Sequence, residues 1–272
     1  MSAPPPLIDR AALGHRRRRA TAADAFLQQA AVQAVQDRLE MVNKSFTRVA
    51  VVTPFAGIWH AVLPDATLVA DDDVLPLAVG GHDLVIHALS LHWANDPVGQ
   101  LVQCRRALRP DGLCLAMVLG GETLTELRSV LAQAESDVSG GLSPRVAPMA
   151  EIRDLGSLLQ RAGFALPVAD SERLVAEYTD LFHLMRDLRH MGEANALNDR
   201  LRIPTKRAVF DRAAQLYQQH FPGQDGRVRA TFELIALTGW APSADQPQPL
   251  RPGSAQARLA EALGTDERPL GD

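Results

Sequence analysis

The chain has 272 residues, 46% of them hydrophobic, enough for one sizeable buried core, and carries a formal net charge of −4 with a pI near 6.1. That balance supplies no general basic face for neutralising phosphates, so nucleic acid is not an expected partner. No apolar run approaches the roughly 18 residues a membrane helix needs, and the two cysteines and eight histidines fall in no metal-ligand or redox spacing.

Arg16 to Arg19, in an acid-poor stretch after Pro4 to Pro6, form a local exception in charge. Transit peptides share that composition. Here, however, the run leads directly into ATAADAFLQQAAVQAVQDRLEMV, a helical pattern over 21–43 with Thr21 as its cap. The arginines are therefore expected to be the solvated start of that helix, within an N-terminal helical segment over 1–45. A main domain is expected over 46–242.

Apolar runs then alternate with helical patterns, the sign of an α/β protein with a parallel sheet. Strands are expected at 49–52, 67–70, 83–89 and 113–119, with helices over 56–63, 97–108 and 123–138. LRPDG at 108–112 marks a helix-to-strand turn, and Gly163 stops a helix over 149–162. A strand over 165–178, a polar helical insertion over about 180–222 and a last strand within 226–242 follow. Such an insertion would sit over the carboxyl edge of the strands, where open α/β sheets bind ligands. Residues 243–272 read as a flexible tail with one short helix at 254–263. Cys104 and Cys114 read as buried free thiols.

The stretch HDLVIHALSLHWANDPVGQLVQCRRALRPDGLCLAMVLGGETLTELR, 82–128, resembles the middle of a class I S-adenosylmethionine-dependent methyltransferase. SLSLHWxND, GGxTLxELR, GGxSPxxxP, DLGxLLxRAGF and MxDLxxMGExN are closest to one branch, the methyltransferase-like assembly factors of respiratory complex I. They match at 89–96, 120–128, 140–148, 154–164 and 185–195. The resemblance implies a Rossmann-like sheet, mostly parallel with an antiparallel last strand. It also implies a protein client, plausibly a complex I subunit, on which mitochondrial members act as arginine hydroxylases. The malonyl-carrier-protein methyltransferases share the fold and LHW without GGxSPxxxP or MGExN. A cytoplasmic location is expected, with the mitochondrial matrix as alternative. Peripheral membrane association stays open.

The cofactor motif is altered. In the family an acid ends the first strand and GxGxG follows, letting backbone approach S-adenosylmethionine without interfering Cβ atoms. Aligned on VAVVTPFAG, the acid falls at Val51 and the glycines at Thr53, Phe55 and Gly57. Thr53–Pro54 reads as a cap and first helical residue, and Phe55 as the side chain filling the pocket. Only 18 residues separate Val52 from Asp71, room for one βα crossover where the family has two. One βα unit, with its ribose-binding acid, is therefore expected to be missing. By resemblance Thr53, Gly57, Asp71, Asp72, Ala88 and Leu89 are the cofactor positions, and S-adenosylmethionine is a possible cofactor that has either been kept or lost.

His92 follows a strand end, where an acceptor would lie, and is the catalytic candidate. It is a titratable base or a substrate-positioning group on one reading, and a structural hydrogen bond on the other. Trp93, Glu122, Arg128, Arg145, Glu193 and Asn195 are client-binding candidates, against the alternative of ordinary surface pairs. His87 reads as a core histidine, and Asn95 and Asp96 as helix caps.

Overall fold

A computed structural model describes residues 5–21, 25–247 and 264–265. Val49–Val52 (β1) lies between Thr67–Val69 (β2) and His82–Ala88 (β3), parallel to both. Parallel strands covered on both faces need no polar alternation, which is why every residue of β3 is buried. Leu108–Leu119 (β4) runs parallel to β3, Val228–Trp240 (β6) antiparallel to β4, and Ala165–Tyr178 (β5) antiparallel to β6. The six-stranded order is β2-β1-β3-β4-β6-β5.

The expected Rossmann-like sheet with an antiparallel last strand is therefore present, one βα unit short. Between β1 and the edge strand β2 there is a single helix, Ala56–Val62 (α3). β4 starts at Leu108 rather than 113, because Leu108 pairs with His82 across an irregular register.

Alternation along the strands divides the core into two layers. Val51, Ile86 and Leu115 point to the layer holding Phe26–Met41 (α2), Thr125–Ser139 (α5), Leu181–His190 (α7) and Arg207–His220 (α8). Val52, Val85 and Cys114 point to the other, with Pro97–Ala107 (α4) and Ile152–Arg161 (α6). Asp96 caps α4, its Oδ1 accepting from the Gly99 amide at 2.8 Å, with Pro97 at the first helical position. Gly163, at φ 80°, takes the left-handed turn after α6.

The N-terminal segment corrects the sequence expectation. Instead of one helix over 21–43, Arg10–Arg17 forms a separate helix (α1), whose N-cap Asp9 accepts from the Ala12 amide. α2 begins at Phe26 without a side-chain cap, so Thr21 does not cap it. The arginines thus close a helix rather than open one, the end its dipole favours for cations. Ile8 and Leu13 bury against Trp93, Ala196 and Leu197. The chain divides into two compact units, 1–242 and 243–272. The expected tail helix lies outside the described residues.

Candidate functional site

The cofactor positions surround the carboxyl ends of β1, β2 and β3. Thr53 is buried. Its amide donates to the Val69 carbonyl at 2.9 Å, and its Oγ1 accepts from the Phe55 amide at 3.0 Å. This turn ends before the helix, which starts at Ala56 with Phe55 as an N-cap that makes no side-chain bond, so Thr53 and Pro54 are not the cap and first helical residue expected. Gly57 lies in the exposed first turn of α3 with open space around it. Ala88 and Leu89 are buried, and Leu89 adopts φ 48° at the strand end.

Asp71 follows β2 and is enclosed, with 6% of its side chain exposed. Both its oxygens accept from Arg17 Nη1, at 2.9 and 2.8 Å. Arg10 Nη1 adds a third contact at 3.3 Å, and Arg10 Nη2 donates to the Asp71 carbonyl. Burial alone would raise the Asp71 pKa. The charges and hydrogen bonds of Arg17, then Arg10, outweigh it and hold the carboxyl below its ordinary value. Asp72 is exposed, with Arg10 at 3.8 Å.

The structure brings three of the predicted residues together at the end of β3. Leu91–Trp93 forms a single 3-10 turn, from which Trp93 Nε1 donates to Glu193 Oε2 at 2.8 Å. His92 Nε2 lies 3.1 Å from the same oxygen. The side chains of His92 and Glu193 are 2% and 6% exposed, so the turn and the helical insertion are joined by a buried carboxylate. His92 Nδ1 is buried without a hydrogen-bond partner.

Trp93 and Glu193 also line a cavity of about 230 Å³. Leu119, Leu124, Met149, Met185 and Phe210 give it apolar walls, while Arg16, Arg145, Arg189 and Asn195 bring polar groups to it. Arg145 is balanced by Glu135, and its Nη1 donates to Thr205 at 2.6 Å. The Arg145 hydrogen bond leads the groups that hold the Glu135 pKa down. Asn195 Nδ2 donates to the Pro144 carbonyl at 2.8 Å, tying the insertion to the loop before α6. An apolar chamber with a few convergent polar groups has the character of a ligand-binding concavity.

Glu122 and Arg128 do not join this group. Glu122 is exposed and lies 3.5 Å from Arg173. Arg128 reaches the Ala147 carbonyl at 3.5 Å. His87 is fully buried, its Nε2 2.6 Å from Gln100 Oε1. Asn95 does not act as a cap. Its Oδ1 accepts from the Ile8 amide at 2.8 Å, and its Nδ2 donates to the Ile8 carbonyl at 3.1 Å. Arg10 and Arg17 are site residues that the sequence does not single out: Arg17 lies within the arginine run, and Arg10 carries no signal of its own.

S-adenosylmethionine requires a free acid and a loop that backbone can approach. Asp71 already holds two guanidinium groups, Thr53 and Phe55 carry side chains, and Pro54 has no amide to donate. The residues present do not fit the cofactor in this form of the chain. Among the described residues no cluster of metal-ligating side chains occurs, and no helix is long and apolar enough to cross a membrane.

A family model described as a methyltransferase domain matches residues 19–116. The chain is 37% identical over 199 residues to "Arginine-hydroxylase NDUFAF5, mitochondrial" of Danio rerio, covering 73% of this chain and 62% of that protein. Against the protein of the same name from Dictyostelium discoideum it is 41% identical over 184 residues, covering 67% and 42%. A malonyl-[acyl-carrier protein] O-methyltransferase of Laribacter hongkongensis is 39% identical over 179 residues, covering 66% and 58%. The chain thus spans between 42% and 62% of these relatives' lengths.

Proposed function

The chain belongs to the class I S-adenosylmethionine-dependent methyltransferase superfamily, and on that footing we propose that it acts in respiratory complex I assembly by engaging a protein client in the cavity under its helical insertion. One observation carries this reading: Glu193 Oε2 takes Trp93 Nε1 at 2.8 Å and lies 3.1 Å from His92, joining the β3 end to the insertion at the wall of an apolar chamber. In this reading His92 positions or deprotonates the client group, and Trp93, Arg145, Glu193 and Asn195 hold the client. Relatives named arginine-hydroxylase support a client of this kind.

Family membership makes S-adenosylmethionine a possible cofactor. A second reading, an assembly factor without catalysis, is favoured by the engagement of Asp71 with Arg17 and Arg10. The proposed location is the bacterial cytoplasm or, as in the relatives' names, the mitochondrion. Deletion of the gene is expected to leave complex I incompletely assembled, with loss of NADH:quinone activity, and the wild-type gene is expected to restore both. A deletion strain with fully assembled, active complex I contradicts the proposal.

A further inference from the structure

We propose that the cofactor half of the sheet is a guanidinium-binding site filled in cis: α1 seats Arg17, supported by Arg10, on Asp71, and in this form the chain takes no S-adenosylmethionine. Arg10 and Arg17 stand two helical turns apart, a spacing that puts both on one face of α1. That face covers the end of β2. Arg17 Nη1 meets both carboxylate oxygens of Asp71, at 2.9 and 2.8 Å, and the two side chains are only 10% and 6% exposed. Arg10 reaches the Asp71 carbonyl with Nη2 and the Trp93 carbonyl at 3.4 Å with Nη1.

The helix is held in place from several sides. Asn95 clamps both backbone groups of Ile8. The Asp9 amide donates to the Ala196 carbonyl at 2.9 Å, and the Asn198 amide to the Leu7 carbonyl at 2.8 Å. Arg200 pairs with Asp9 at 2.9 Å. Phe55 and Arg17 both close on Gly192: a Cβ added there would come 3.2 Å from the Phe55 ring and 3.3 Å from Arg17 Cγ.

Ser90 Oγ and His87 Nδ1, at the end of β3, and Nε and Nη2 of Arg17 itself are buried without partners. Breaking a buried ion pair by removing one member leaves the other charge uncompensated, so a ligand entering this half would have to displace α1 and still satisfy Asp71. Arg16, the next residue back, lines the client cavity. One helix thus closes the cofactor half and contributes to the client half.

Two measurements on the full chain test this. Calorimetric titration with S-adenosylhomocysteine to millimolar concentration is expected to give no binding heat, and a micromolar Kd overturns the proposal. R17A is expected to melt roughly 5–15 °C below wild type. Millimolar ethylguanidinium should restore part of that loss in R17A but shift neither wild type nor R17A/D71N. An R17A chain that melts like wild type, or gains nothing from ethylguanidinium, overturns the assignment. Should R17A fail to fold, D71N carries the test: it should melt lower at pH 7 and show a shallower decline below about pH 4 than wild type, the remainder coming from Asp9, Asp83, Glu135 and Asp137, whose carboxyls are also held down. A wild-type pH profile in D71N overturns the proposal.

Discussion

Glu193 is the residue that joins the end of β3 to the insertion, since a single oxygen serves both the Trp93 indole and the His92 ring. E193A would leave the Trp93 N–H buried without an acceptor, at a cost of about 1–3 kcal/mol. Thermal denaturation should show that loss, while E193Q, which keeps an acceptor, should lose less. His87 adds a pH dependence. Burial lowers its pKa against the opposing Gln100 hydrogen bond, so the folded ring stays neutral while the unfolded ring protonates near pH 6.5. Its contribution is therefore present above about pH 6.5 and lost as pH falls below that value. Melting temperatures between pH 7.5 and 5 should fall more steeply in wild type than in H87Q. His82, also depressed chiefly by burial, should keep part of the slope in both.

At the scale of elements, α1 is anchored through the residues just before it, Ile8 and Asp9. N95A removes both hydrogen bonds to Ile8 and should destabilise by about 1–2 kcal/mol. Amide exchange should accelerate most around Leu13; an increase spread evenly over the chain would contradict this assignment. The same element shows where sequence reading stops. Asp96 with Pro97, Gly163 and the apolar β3 were legible because their causes are local: a cap, a left-handed turn, continuous burial. Arg17 was not, because an arginine run looks solvated until a carboxylate 54 positions away accepts it. Asn95 read as a cap for a related reason, as nothing nearby reveals a partner 87 positions away. Glu193 could be singled out by its motif, but its hydrogen bonds across 100 and 101 positions could not.

Across the molecule, the sheet's ligand edge has two halves with different fates. At the ends of β1 and β2, a loop carrying Thr53 and Phe55 lies beside an acid engaged by α1. Beyond β3, the Trp93–Glu193 contact and the apolar walls keep a chamber open under the insertion. The central claim is that work on a protein client is carried by this chamber. Met149, on the loop before α6, lines it, so M149W should fill the chamber with little effect on the sheet. The decisive measurement is complex I activity in a deletion strain complemented with M149W, after its melting temperature has been matched to wild type. Wild type is expected to restore assembled, active complex I and M149W is not; full restoration by the filled-chamber variant overturns the proposed role of the chamber.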